Sequence, residues 1–298
     1  MKNITFIGSA SGWGAQIRET EKGPKAFKES GVLSSLDFPW TWKETLYPLK
    51  TSQEVTLSPG LETLPYMEDM CVRMSQSVEE TLQQQEFPVV IGGDHGIAMG
   101  TWSGVTHHLK AKGEFGLIWI DAHMDAHTLE TTPSQAYHGM PLAVLLGFGE
   151  DSLVNLLREG PALNPAHICL IGIRSFEEGE AALLKHLGVR VYFMKDVQAN
   201  GFKAIFEEAL DHVKQGTKGF GVSIDLDGFD PTEAPGVGTP EPEGLKAAEV
   251  IPALSLLQHD PFFKALEIVE YNTDRDKDNK TIFLMRDLLS AIFSRKEK

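Results

Sequence analysis

The sequence predicts an α/β fold of three layers, a mainly parallel sheet of about eight strands sandwiched by helices. Three observations predict it. Short apolar runs alternate with helical stretches from end to end, which is the rhythm of βαβ units. Several of those runs, such as Pro88-Val89-Val90-Ile91, are apolar almost without interruption, as strands covered on both faces must be. No low-complexity linker and no internal repeat divides the 298 residues, so one domain over 1–298 is expected.

Taken in order, Met1-Lys2-Asn3-Ile4-Thr5-Phe6-Ile7-Gly8 opens the chain with a strand over 3–8, too short and too interrupted for a signal peptide. Pro24–Gly31 reads as a helix and 44–49 as a strand. Leu61–Gln85 is helical because Met67, Met70, Cys71, Met74, Val78 and Leu82 recur at helical spacing, a stripe that belongs to core packing. Strands are then expected over 87–91, 116–121, 167–173, 189–194, 219–225 and 264–271. Between and after them, Ile97–Lys112, Pro141–Gly147, Asp151–Arg158, Glu178–Leu187, Phe202–Gln215, Lys246–Gln258 and Thr281–Ser294 read as helices. His107, His108, His186, His212 and His259 fall in helices without ligand spacing and read as surface or packing residues.

Composition excludes several classes of function. The net charge of −15 argues against nucleic acid and anionic membranes, which demand basic patches. No run of about 18 apolar residues exists, so a spanning helix is excluded. Cys71 and Cys169 are the only cysteines. They make neither a disulfide framework nor a thiolate zinc site, and they fit small buried apolar positions in a reducing, cytoplasmic setting. Arg295-Lys296-Glu297-Lys298 reads as a solvated tail. The acidic excess suits bound cations and, more weakly, a cationic substrate.

The chemistry is concentrated at strand ends. Asp121-Ala122-His123-Met124-Asp125-Ala126-His127 follows the apolar Gly116-Leu117-Ile118-Trp119-Ile120. Alternate residues of extended backbone point the same way, so its Asp and His side chains can converge. Their burial is costly unless a metal partners them. Ile91-Gly92-Gly93-Asp94-His95-Gly96 turns sharply after its strand and can present His95. Ser223-Ile224-Asp225-Leu226-Asp227 places two carboxylates on one face, and Leu266-Glu267-Ile268-Val269-Glu270 closes a late strand with Glu270. Sites of open parallel sheets form outside the carboxyl ends of strands. His95, Asp121, His123, Asp125, Asp225 and Asp227 carry too many charges for one tetrahedral zinc. Two imidazoles among four carboxylates suit two Mn²⁺ ions, with carboxylates able to bridge. Such ions lower the pKa of a shared water, so metal-assisted hydrolysis is the expected chemistry.

Gly92-Gly93-Asp94-His95, Asp121-Ala122-His123-Met124-Asp125 and Ser223-Ile224-Asp225-Leu226-Asp227-Gly228-Phe229-Asp230-Pro231 resemble the three metal motifs of the ureohydrolase superfamily. That group holds arginases, agmatinases, formimidoylglutamases and relatives. The likeness covers nearly the whole chain, with the motifs in the same order. It implies a single α/β domain with two Mn²⁺ ions. By that resemblance His95, Asp121, Asp125 and Asp225 hold one ion. Asp121, His123, Asp225 and Asp227 hold the other, so Asp121 and Asp225 bridge. A bridging hydroxide then attacks the guanidinium carbon. Asp125 hydrogen-bonds the hydroxide, His138 relays a proton to the leaving amine, and Glu270 pairs with the guanidinium.

The likeness is closest to arginases, which implies L-arginine as substrate, with L-ornithine and urea as products. Glu21-Lys22-Gly23-Pro24 is similar to the arginase amino-terminal segment, and Ile171-Gly172-Ile173-Arg174-Ser175-Phe176-Glu177 to a loop that holds the substrate's α-amino group. Ser134 falls where arginases bind the α-carboxylate, and Thr239 matches a position near the guanidinium. His127 stands in place of a common asparagine, Glu177 in place of an aspartate, and Thr273 in place of a proline. These departures concern the amino-acid end of the substrate. Agmatine, another guanidino or formimino compound, or a metal-binding regulator without turnover are the alternatives. Glu270 and His138 favour an enzyme, because a regulator that kept the metal for folding would need the ligands alone. The resemblance further implies a homo-oligomer, a trimer or hexamer.

Overall fold

β1 (Ile4–Ser9), β3 (Phe87–Ile91), β4 (Gly116–Ile120), β5 (Ile168–Ile173) and β7 (Phe220–Asp225) are buried at every residue. That is the condition their uninterrupted apolar sequences call for. With β2 (Trp40–Leu46), β6 (Arg190–Phe193) and β8 (Phe263–Val269) they form one sheet in the order β2-β1-β3-β8-β7-β4-β5-β6. Every pairing is parallel. This is a computed structural model, and it describes residues 3–50 and 60–294. The expected tail over 295–298 lies outside the described residues.

Side chains alternate across the sheet, as extended backbone requires. Ile118 and Ile120 face one layer, and Leu117 and Trp119 the other. The first layer is covered by α1 (Gly23–Glu29), α7 (Met194–Asn200), α8 (Phe202–Lys214), α9 (Ala247–Leu254) and α10 (Lys280–Phe293). The second is covered by α2 (Leu64–Gln83), α3 (Ala98–Leu109), α4 (Pro141–Leu145), α5 (Asp151–Val154) and α6 (Glu178–Leu187). The Met67–Leu82 stripe of α2 is buried in the second layer, as its spacing predicts. Full burial of one such side chain contributes about 1.5–3 kcal/mol. Among the described residues no helix is long and apolar enough to cross a membrane.

The expected eight strands are present, and the differences lie at edges and in short segments. β2 starts at Trp40 rather than 44, and as an edge strand it is mostly half-exposed, so its sequence lacks a buried strand's apolar run. The expected helix Asp151–Arg158 is one turn, ending at Val154. The helix expected to reach Gln258 ends at Leu254 and continues as a 3-10 turn over Ser255–Leu257. α7 has seven residues and starts where β6 stops, which is too short for a helical period to register. His259 sits in a turn with φ 61°, not in a helix.

Candidate metal centre

β3, β8, β7 and β4 are four consecutive strands in the middle of the sheet. Ile91 is level with Ile268, Asp225 with Val269, and Ile224 with Ile120. Because all four run in one direction, the residues that follow them emerge along a single edge. Those residues are His95, Glu270, Asp227 and the Asp121–His127 segment, with Asp225 the last residue of its strand.

Each loop is built to aim its side chains. After β3 the chain passes so close to Ser11 that a Cβ on Gly93 would lie 1.8 Å from the Ser11 carbonyl oxygen, so no larger residue fits. Asp94 then caps the following turn. Its Oδ1 accepts from Gly96 N–H at 2.9 Å and its Oδ2 from Gly14 N–H at 3.1 Å. After β4 and β7 the same device recurs, with Asp121 Oδ1 accepting from His123 N–H at 2.7 Å and Asp225 Oδ1 from Asp227 N–H at 2.8 Å. Asp125 and Glu270 adopt left-handed backbone, at φ 49° and 66°. Such a conformation costs a residue with a side chain about 1–2 kcal/mol and concentrates at functional positions.

The six expected ligands come together in two groups that share Asp121. His95, Asp121, Asp125 and Asp225 form one, and Asp121, His123 and Asp227 the other, each with ligand atoms within 4.8 Å of one another. His95 Nδ1 lies 3.2 Å from Asp121 Oδ2, 3.0 Å from Asp125 Oδ2 and 3.0 Å from Asp225 Oδ2. Yet this buried nitrogen has no hydrogen-bond partner. Three carboxylate oxygens converging on a lone-pair nitrogen without hydrogen-bond geometry suit a divalent cation held among them. His123 Nδ1 lies 3.2 Å from Asp227 Oδ2 and 3.5 Å from Asp121 Oδ1. Asp225 falls in the first group and not in the second, with Oδ2 toward His95 Nδ1 and Oδ1 accepting from Asp227 N–H.

The far side of His95 fixes which nitrogen is free. Its Nε2 is 2.9 Å from Ser223 Oγ, which donates to Glu267 Oε1 at 2.8 Å. With Nε2–H directed at the serine, the Nδ1 lone pair points at the carboxylates. Trp119 stacks on the ring at 4.1 Å and donates its indole N–H to Asp121 Oδ2 at 2.8 Å. Glu267 and Ser223 were not anticipated. The available signal was a charged residue inside the apolar run Leu266-Glu267-Ile268-Val269, which burial tolerates only with a partner.

Electrostatics make the cluster unstable as a set of bare charges. Burial, then Asp227 and Asp121, push Asp225 well above the ordinary carboxylate range. Burial and Asp121 raise Asp125 to about 6, and burial and Glu270 raise Asp94 to about 7. Burial opposes protonation of His138, but its contact with Glu270 and the Asp125 and Asp94 charges prevail and raise it to about 9. The sign of the linkage is the same for both residue types. A carboxyl with a raised folded pKa holds protons that the unfolded chain, near 3.8, has already released, so stability falls as pH rises through the folded value. A raised histidine contributes fully below its unfolded 6.5 and loses that contribution as pH rises through about 9. Metal-free protein should therefore lose thermal stability steadily between about pH 5 and 9. Mn²⁺-loaded protein should resist, because cations replace the protons. Melting curves in chelator and in Mn²⁺ at pH 6 and pH 9 check this, and a gap that fails to widen with pH contradicts it.

The expected catalytic pair is in contact. Glu270 Oε1 accepts from His95 N–H at 2.9 Å and lies 3.1 Å from His138 Nδ1. The Glu270 N–H donates to Gly93 O and the His138 N–H to Gly14 O, which locks three loops together. Thr239 Oγ1 donates to Asp227 Oδ2 at 2.8 Å. Two residues expected at the amino-acid end of the substrate lie against each other, with His127 Nε2 2.9 Å from Glu177 Oε2. Glu180, not anticipated, accepts from Ala126 N–H and Glu177 N–H and is held at about 8 chiefly by burial. Ser134 Oγ accepts from Ala136 N–H, on the loop that delivers His138.

Comparison with known proteins finds similarity over nearly the full length. Arginase from Bacillus caldovelox is 36% identical, with 99% of each chain covered, and arginase from Bacillus subtilis (strain 168) is also 36% identical at the same coverage. The native structure of the Bacillus caldovelox arginase superposes with a TM-score of 0.91, at 36% identity and 99% coverage of each chain. The arginase of Entamoeba histolytica, in complex with L-ornithine, gives a TM-score of 0.88 at 28% identity and 99% coverage of each chain. The model of the family described as "Arginase family" matches residues 2–294. Strand ends, cation groups and full-length similarity lead to one assignment: the chain belongs to the arginase family.

Proposed function

We propose that the chain hydrolyses the guanidino group of L-arginine to give L-ornithine and urea, with two Mn²⁺ ions held by His95, Asp121, Asp125, Asp225, His123 and Asp227. The observation that carries this reading is the buried, unpartnered His95 Nδ1 faced by three carboxylate oxygens. Full-length similarity to proteins named arginase supports the substrate. Bound there, the two cations lower the pKa of a shared water and so supply hydroxide near neutral pH.

The residues of the chain do the rest. Glu270 keeps Oε1 on His95 N–H and His138. Its Oε2 faces the 238–239 segment, since a Cβ on Gly238 would lie 3.5 Å away. A planar guanidinium paired with this carboxylate is oriented by charge-assisted hydrogen bonds. Asp125 accepts the proton of the attacking water, whose oxygen adds to the guanidinium carbon. Burial opposes protonation of His138, and its contact with Glu270 favours it. The protonated imidazole delivers its proton to the departing amine nitrogen as the carbon–nitrogen bond breaks. Thr239 steadies Asp227, while Ser134, His127 and Glu177 face the distal end of the substrate. The whole chain acts as one catalytic unit in the cytoplasm, assembled as a trimer or hexamer.

One observation favours agmatine as a second reading. His127 is engaged by Glu177, and an imidazole so engaged is less free to meet an α-carboxylate, which L-arginine carries and agmatine lacks. Urea release by Mn²⁺-loaded protein, with L-arginine and agmatine compared side by side, decides between them. Preference for L-arginine is expected. Preference for agmatine would overturn the assigned roles of Ser134, His127 and Glu177, and urea from neither would overturn the proposed reaction.

A further inference from the structure

His95 has its outward nitrogen tied down by a serine and a glutamate, and the other cation group has a counterpart at the rim of the site. His123 presents Nδ1 to Asp227 and Asp121. Its Nε2 faces Glu241 Oε1 at 3.8 Å, within ion-pair reach and beyond a direct hydrogen bond. The same Glu241 oxygen accepts from Ser175 Oγ at 3.2 Å. Glu241 and Ser175 come from different loops, yet their backbones are registered to the cation groups by one arginine. Arg174 Nη2 donates to Asp227 O at 2.7 Å and to Glu241 O at 2.9 Å, and its Nε donates to Pro242 O at 3.0 Å. The N–H groups of Arg174 and Ser175 both donate to Ala122 O, beside His123.

We infer that Glu241 is a positioning residue for His123, one whose charge, facing Nε2, orients the imidazole ring of the second cation group. The inference rests on the binuclear reading above. A carboxylate facing Nε2–H fixes the tautomer with the Nδ1 lone pair toward Asp227 and raises that nitrogen's basicity. Ser175 holds the Glu241 oxygen in place, and Glu241 faces His123 Nε2 by charge at 3.8 Å, a looser arrangement than the direct Ser223 contact behind His95. Glu241 is about one-third exposed, so its replacement leaves the packed layers untouched. The sequence signal is faint, because Glu241 sits in the Pro-rich turn Thr239-Pro240-Glu241-Pro242-Glu243-Gly244 and reads as a solvated loop residue.

The test is Mn²⁺ binding to the full chain, followed calorimetrically for wild type, Glu241→Ala and Glu241→Gln. The expected result is two ions in each protein, with the weaker of the two affinities lowered about tenfold in Glu241→Ala. Glu241→Gln, which keeps an acceptor oxygen, should recover most of that loss. KM for L-arginine at saturating Mn²⁺ and the melting temperature in chelator should both stay at wild-type values. Unchanged Mn²⁺ affinities in both variants overturn the inference. A raised KM with unchanged affinities also overturns it and makes Glu241 a rim charge that attracts a cationic substrate. A lowered melting temperature in chelator with both affinities equally weakened overturns it in favour of a general structural role. Wild-type protein that fails to bind two ions overturns the binuclear reading itself, a different outcome from two tightly bound ions in every variant.

Discussion

Replacing Asp121 by alanine is expected to remove both cations at once and to lower turnover on the order of 10³-fold or more. The reason is its placement. Asp121 turns Oδ2 toward His95 Nδ1 and Oδ1 toward His123 Nδ1, so one carboxylate serves both groups. It is also fully buried, it fixes the loop through His123 N–H, and it accepts the Trp119 indole N–H. Loss of a buried charge that partners two imidazoles leaves those groups uncompensated, which typically costs 3–5 kcal/mol. Asp227→Ala touches one group only and should leave one ion bound. Metal analysis of the two variants after dialysis checks the contrast. Two retained ions in Asp121→Ala would show that the carboxylate does not join the groups.

The second large effect is expected for Glu270→Gln, with metal content unchanged and kcat/KM lowered about 10²- to 10³-fold. A glutamine keeps an oxygen that accepts from His95 N–H and leaves the loops in register. It removes the negative charge that a guanidinium would meet, and losing one partner of a buried charged pair costs roughly 2–5 kcal/mol. It also removes the charge that raises His138 to about 9. The imidazole should then titrate lower, and because the proposed step needs its protonated form, the alkaline side of the pH–rate profile should move toward lower pH. Steady-state kinetics across pH, with metal content measured on the same samples, tests both parts. Wild-type activity in this variant would show that the guanidinium is held elsewhere.

Where the chemistry sits was legible because each motif is local. A strand that buries both faces writes an uninterrupted apolar run, and a polar cluster at its end stands out against that run, as Asp121–His127 does after Gly116–Ile120. The capping aspartates and close-approach glycines of the same loops are local as well. The partners of those side chains were not legible. Ser223 and Glu267 lie 44 residues apart, and Glu241 and Ser175 are 66 apart. Nothing in spacing or periodicity connects such pairs. The meeting of His127 with Glu177 is of the same kind: each residue was readable as a candidate, and their engagement with each other was not.

By itself the sequence determined the eight strands, the direction in which each polar cluster leaves its strand, and the residue types that favour divalent cations and hydrolysis. Side-chain alternation along a strand and metal preference of donor atoms act over a few residues, so they are encoded there. Only the tertiary structure decided that β7 and β8, late in the chain, enter the sheet between β3 and β4. That insertion brings His95, Glu270, Asp225 and Asp121 to adjacent strand ends. Strand order follows from crossover connections and from which apolar faces pack together, interactions between distant segments that leave no periodic trace in either segment.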